Sequence, residues 1–227
     1  MRRLLAASVL VLLAGAGCAV NRPGTAGQPG VANPTAGPTG APTVPATGAT
    51  PAGARSGEAY RVTYGWAVPS RRVTVTNPVA VPITPPPGIP LPYLVEIRTG
   101  DHPDFARITF AFEGGYPEYN FAYGPDVRAE GTGTPIQLPG NAFLRIQFVH
   151  AQSHDNDGNS TIRYAANRSV GIGNLVGYAP GGDFEGYVTY GLGIRVAPDS
   201  DQVLEIRVGQ QRRPDGRYVV AFDVRKG

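Results

Sequence analysis

Apolar and other positions alternate most clearly in residues 104–123. Ile108, Phe110 and Phe112 alternate with Arg107, Thr109, Ala111 and Glu113, and Tyr119, Phe121 and Tyr123 begin a second run beyond Gly114-Gly115. A period of two puts one face of an extended strand against a core. Two such runs around a short glycine turn predict a β-hairpin.

The same grammar recurs along the chain. Residues 60–64 and 72–76 are β-prone. Residues 93–98 place Val95 and Ile97 on one face and Glu96 and Arg98 on the other. Residues 134–138 read as a weak strand ahead of Pro139-Gly140-Asn141, and residues 143–149 follow with Leu144, Ile146 and Phe148 inward. Residues 175–178 and 184–196 add two runs, the second interrupted by Gly186, Gly191 and Gly193. In 203–208, Leu204, Ile206 and Val208 share a face; in 217–225, Tyr218, Val220, Phe222 and Val224 do. No window sustains a helical period, and residues 168–177 leave room for one helical turn at most. Many short strands with frequent turn signals predict an all-β fold, a two-sheet β-sandwich of short, mainly antiparallel strands, with a barrel as the alternative. About 135–170 residues suffice for one full core.

Before residue 58 the alternation is gone. Arg2 and Arg3 precede an apolar run over 4–13 that is too short to cross a bilayer comfortably. Ala14-Gly15-Ala16-Gly17 then leads to Cys18, the only cysteine. Small residues ending in cysteine resemble a bacterial lipobox, although Gly15 stands where that motif has Leu, Val or Ile. The alternative is an ordinary signal peptide with a chance cysteine. A lone cysteine in an exported chain has no internal disulfide partner, which leaves lipidation as its natural use. Residues 1–17 are therefore expected to be a lipoprotein signal peptide. Residues 18–57, rich in Pro, Gly, Ala and Thr, carry too little apolar surface to offset the entropy of ordering and read as a disordered tether. As a flexible coil such a tether spans on the order of 35 Å. Residues 58–92 read as a strand and a Pro-rich strap, because proline cannot donate to a ladder. Residues 93–227 read as the β-domain proper. The expected location is export, with lipidated Cys18 holding the chain on the outer face of the cytoplasmic membrane.

Charge changes meaning once it is divided this way. The whole chain is formally +3, yet four of its twenty basic residues (Arg2, Arg3, Arg22 and Arg55) precede residue 58 and all seventeen acidic ones follow. The remainder is sixteen basic against seventeen acidic, a net of −1. No electrostatic case for nucleic acid remains. All basic residues but Lys226 are arginine, a bias that by itself points to no mechanism.

Motifs of catalysis are absent: there is no GxSxG, HExxH, P-loop or CxxC. His102, His150 and His154 are the only histidines and fall in turn or loop positions. Residues 155–159, DNDGN, look briefly like a calcium loop, but aligning Gly158 to the glycine of an EF-hand puts Tyr164 where the bidentate glutamate belongs. Asp183 and Glu185, two apart at an expected strand start, form a carboxylate pair on one face with no second acid to complete a glycosidase. Trp66, the only tryptophan, reads as filling a hydrophobic niche. No catalytic residue, metal or cofactor is expected.

Several motifs together resemble a known family. They are residues 102–110 (HPDFARITF), 115–119 (GYPEY), 182–186 (GDFEG) with Gly191-Leu192-Gly193, and 218–224 (YVVAFDV), with Asn167-Arg168 and Val176-Gly177-Tyr178 between them. Their order and spacing across about residues 93–225 resemble the AMIN-like domain of actinobacterial lipoproteins. Ala106 stands where a family member usually has Asp. The resemblance implies a two-sheet β-fold related to the AMIN domains of cell-wall amidases, which direct enzymes to the envelope and are associated with peptidoglycan binding. It implies no catalytic residues, and no amidase domain is expected downstream. The expected function is non-enzymatic binding of peptidoglycan or another wall polymer. The alternatives are a scaffold that holds an envelope protein through a sheet edge and, less favoured, a small enzyme acting on glycans.

Sugar polymers are held by aromatic faces and planar polar groups. Candidate binding residues are Tyr116, Tyr119 and Tyr123, then Arg163, Asn167 and Arg168, with the Asp183–Glu185 edge next. Tyr119 and Tyr123 share a face in an extended strand; the alternative is that this face is core.

Overall fold

Strands form where the alternation is continuous, and they arrange as two sheets. In this computed structural model the described residues are 57–77, 91–198, 200 and 202–227, all within the unit Thr50–Gly227. The expected signal peptide, Cys18, the tether to residue 56 and residues 78–90 of the strap lie outside the described residues. The strands are β1 (Arg61–Ala67), β2 (Val73–Val75), β3 (Tyr93–Asp101), β4 (Phe105–Glu113), β5 (Glu118–Gly124), β6 (Ala142–Val149), β7 (Tyr164–Ala165), β8 (Ser169–Ile172), β9 (Leu175–Phe184), β10 (Tyr187–Ile194), β11 (Ile206–Arg212) and β12 (Tyr218–Arg225). Sheet A runs β1-β11-β12-β4-β3-β7 and sheet B runs β2-β5-β6-β10-β9-β8. Every pairing between strands is antiparallel except β3 with β7. The fold is an all-β, two-sheet sandwich.

Its core comes from the inward positions of both sheets. Ile108, Phe110 and Phe112 of β4 and Val220, Phe222 and Val224 of β12 are fully buried, as are Leu144, Ile146 and Phe148 of β6. Rings from the two sheets meet: Phe110 lies 5.0 Å from Phe148 and 6.2 Å from Phe222, and Phe222 lies 5.4 Å from Phe121 between ring centroids. Burying each such ring contributes about 1.5–3 kcal/mol.

The expected hairpin over 104–123 does not form. β4 belongs to sheet A and β5 to sheet B, and the Gly114-Gly115 turn carries the chain from one sheet to the other. Gly114 has φ +90°, a conformation that favours glycine. Alternation specifies which face of a strand is buried, not which strand lies beside it. Here the two apolar faces oppose each other across the core.

Four smaller expectations also change. A bulge between Leu94 and Glu96 turns Leu94 and Ile97 into the main core in place of the Val95–Ile97 pair, while Glu96 and Arg98 share the outer face as expected. Residues 134–138 are not a strand; only a single bridge, Arg128 to Pro135, forms there. Residues 168–177 hold β8, a tight Gly173-Asn174 turn and the start of β9 rather than a helical turn. The run expected over 184–196 is divided: Phe184 ends β9, Glu185-Gly186 is the turn, and β10 starts at Tyr187.

Candidate functional site

The outward positions of sheet A are where charge collects. Register places Arg107 of β4 and Arg207 of β11 on either side of Asp223 of β12. Asp223 is 0% exposed. Arg107 grips both of its oxygens, Nε to Oδ1 at 2.6 Å and Nη2 to Oδ2 at 2.9 Å. Arg207 donates Nε and Nη2 to Oδ2 at 2.8 and 2.7 Å. One buried carboxylate therefore orients two guanidinium planes, and Asp223 holds the Arg107 pKa above its ordinary value.

Aromatic rings fill the gaps between these planes. Arg225 and Arg207 lie over the Trp66 ring at 4.6 and 4.7 Å. Arg207 and Arg107 lie over Phe105 at 4.8 and 5.2 Å, and Arg107 lies over Tyr60 at 4.8 Å. His102 stacks on Phe105 at 4.3 Å. Tyr60 can lie flat on β11 because Gly209 has no side chain; a Cβ there would collide with the phenol ring. Burial first, then the nearby Asp223 carboxylate, pushes the Tyr60 pKa up. The result is a continuous cation–aromatic stack. At its end lies a groove of about 390 Å³ lined by Trp66, Pro103, Asp104, Phe105, Arg207, Arg225 and Lys226. Trp66, half-buried, packs against Phe105 as a niche filler would, but its niche also holds the Arg207 and Arg225 guanidinium groups.

The sequence profile of the AMIN-like domain family matches residues 92–225. The chain belongs to the AMIN-like domain family. No curated protein and no solved structure matches it. The matched AMIN-like region begins just before β3 and ends at the last residue of β12. It contains Phe105, Arg107, Arg207, Asp223 and Arg225, whereas Tyr60 and Trp66 come from the residues ahead of it. Those residues also supply β1 to the edge of sheet A and β2 to the edge of sheet B.

A second charged centre sits farther along the same face of the AMIN-like domain. Glu96, 4% exposed, is bonded by Arg98, Arg213 and Arg217. Arg98 above all, with Arg213, holds its pKa down at about 2 against the cost of burial. Register puts Ala111 directly between Glu96 and Val219. That small residue lets the two arginines of the β11–β12 turn reach Glu96 across the sheet.

The residues picked out by sequence do not form one site. Tyr119 is 0% exposed and shares a hydrogen bond of 2.8 Å with Thr63, so it is core and unavailable to a polymer. Burial pushes its pKa up to about 12. Tyr123 packs on the core and donates to the Leu204 carbonyl at 2.9 Å; burial raises its pKa as well. Tyr116 packs edge-on to Tyr218 at 4.9 Å, with its pKa raised to about 12 by burial first and Glu58 second. Arg163 is exposed and pairs with Glu113. Asn167 accepts a hydrogen bond from the Ser169 amide, and Arg168 is exposed beside it.

Asp183 and Glu185 do not share a strand face. Asp183 lies in β9, while Glu185 occupies the turn with φ +51°. Asp183 Oδ2 instead accepts from the Ser153 amide at 2.9 Å, the Ser153 hydroxyl at 2.7 Å and His154 Nδ1 at 2.6 Å. This cluster pins the 150–161 loop to the β9–β10 hairpin. The serine bonds the carboxylate rather than the histidine, so a nucleophile–base pair is not assembled. In the DNDGN segment, the Asp155 carboxylate caps its own turn through the Asp157 and Asn159 amides. No group of three or more candidate metal ligands exists among the described residues.

The groove residues were not read as one site because Trp66, the run 103–105, Arg207 and the pair Arg225-Lys226 are far apart in the sequence and meet only in the folded sheet. One signal was present. Arg107, Arg207 and Asp223 are single charges between apolar neighbours in strands, and nearly every cation is arginine.

Proposed function

We propose that the protein is an exported lipoprotein, held by Cys18, whose AMIN-like domain binds peptidoglycan or another wall polymer without acting on it. Family membership supports a wall-associated, non-catalytic role. The observation that carries the reading to a surface is the Trp66 groove, where rings stack with guanidinium planes and the buried Asp223 carboxylate orients Arg207. A pyranose ring presents C–H to an aromatic face and hydroxyls around its rim to planar donors. The tether, attached at Cys18, gives the domain its reach toward the wall.

Sedimentation with purified wall tests the reading. The mature protein is expected to pellet with wall, and Trp66→Ala to weaken that binding on the order of tenfold with a melting temperature within a few degrees of wild type. Failure of the wild-type protein to pellet refutes wall binding. Release of soluble fragments from the wall refutes the non-enzymatic part. Cys18→Ala is expected to leave the precursor uncleaved and unlipidated; identical fractionation of variant and wild type refutes the anchor. A scaffold role remains the second reading, because β1 is an edge strand carrying Val62 at 49% exposure.

A further inference from the structure

The groove beside Trp66 has a charge pattern that a neutral sugar does not need. Among its described lining residues, Arg207, Arg225 and Lys226 face one carboxylate, Asp104. The carboxylates that pair with two of these cations stand outside the lining: Glu205 binds Arg225 at 3.1 Å and Asp101 binds Lys226 at 2.6 Å. Both partners of the Arg225 pair are more than 40% exposed. An exposed pair of that kind contributes only about 0–1 kcal/mol and exchanges readily for another anion.

Deeper in, the same Arg207 shares its one carboxylate with a second arginine. Asp223 carries one charge and serves two guanidinium groups, so the buried unit of Arg107, Asp223 and Arg207 keeps a net +1. Arg207 spends Nε and Nη2 on Asp223, and Nη1 takes no bond among the described residues. Its plane is fixed by Trp66 on one contact and Phe105 on another. A guanidinium held this way loses little freedom when it binds a planar or tetrahedral anion.

We infer that the groove is an anion site: it takes a carboxylate or phosphate group carried on an envelope polymer, with Arg207 and Arg225 as its ligands, Lys226 at its mouth and Trp66 and Phe105 as its apolar wall. The inference deepens the wall-binding reading and rests on it for the identity of the polymer. It does not rest on it for the chemistry of the groove.

Trp66 is the only tryptophan in the chain, so its fluorescence reports on this groove alone. The mature full-length protein is titrated at constant ionic strength with three soluble probes: N-acetylmuramic acid, which carries a carboxylate, glycerol 3-phosphate, and neutral N-acetylglucosamine. A saturable change with either anion and none with the neutral sugar is expected. A response to N-acetylmuramic acid alone assigns a peptidoglycan carboxylate, and a response to glycerol 3-phosphate alone assigns a phosphate polymer. Arg225→Gln should weaken the responding probe by about tenfold, the loss of one charge-assisted contact. Its melting temperature should be unchanged, because the Arg225 side chain is half-exposed. An equal response to the neutral sugar overturns the inference while leaving wall binding intact. So does no response to any probe when the same protein pellets with wall. An anion response from a protein that does not pellet upholds the groove and removes the wall.

Discussion

On the outer side of sheet B, β10 presents Gly191 and Gly193; on the outer side of sheet A, β12 presents Asp223 and Arg225. The glycines are bare because the loop over 125–141 rests on them. A Cβ on Gly191 would meet Leu138 at 2.7 Å, one on Gly193 would strike the Pro139 carbonyl, and one on Gly182 would meet Glu130 at 2.7 Å. Glu130 of that loop is bonded by Arg145, Gln147 and Thr189 of the strands beneath it. Sheet B has spent its outer surface on the protein itself. Sheet A holds an equally dense polar network, but its arginines end in a groove. Both faces are built from strands of the same alternation. The difference is whether the outward residue is absent, so that backbone can approach, or long and charged, so that it can reach.

The sharpest way to break this contrast is at Asp223. Asp223→Asn leaves two guanidinium groups facing a neutral amide in a buried position, and is expected to cost about 3–5 kcal/mol in denaturant unfolding. A cost under about 1 kcal/mol would mean that the stack does not depend on its carboxylate. The counterpart on sheet B is Gly193→Ala. It should cost about 1–3 kcal/mol by forcing the 125–141 loop off the sheet, without altering the sheet A groove. A changed Trp66 spectrum in that variant would show that the two faces are coupled.

Acid sharpens the comparison further. Glu96 has a folded-state pKa of about 2, below the ordinary glutamate value of roughly 4.3. Its contribution is therefore fully present above about pH 4.3 and lost as pH falls toward 2. Glu96→Gln should cost about 1–3 kcal/mol near neutrality, with the gap from wild type closing between about pH 4 and 2. A gap that stays constant with pH would show that Glu96 is not held charged by Arg98, Arg213 and Arg217. The smallest effect is expected at Arg128, exposed on the loop over sheet B and paired, among the described residues, with half-buried Asp126 and the Gly133 carbonyl. Arg128→Ala should change stability by under about 0.5 kcal/mol and leave wall binding as it was.

Much of the fold was legible. The inward sets of β4, β6 and β12 were read residue by residue, because an unbroken period of two permits one buried face. Pairing was not legible: β4 and β5 are adjacent in sequence, apolar on one face and separated by glycine, which fits a hairpin and a crossing between sheets equally well. The β9–β10 turn was hidden in Gly-Gly-Asp-Phe-Glu-Gly, where glycine serves both as turn and as seat for the covering loop. The candidate site was the least legible part. Tyr119 and Tyr123 were attractive as binding groups for the property that buries them, a shared face. Arg107, Asp223 and Arg207 come from three strands and meet only through register.

Wall binding through sheet A is most directly tested by acrylamide quenching of Trp66, compared between free protein and protein bound to purified wall. The single tryptophan stands in the groove, so occupation by polymer should lower its quenching constant by about twofold or more, as expected when a ligand buries most of its contact surface. An unchanged constant in protein that is demonstrably wall-bound would place the polymer elsewhere and contradict the account.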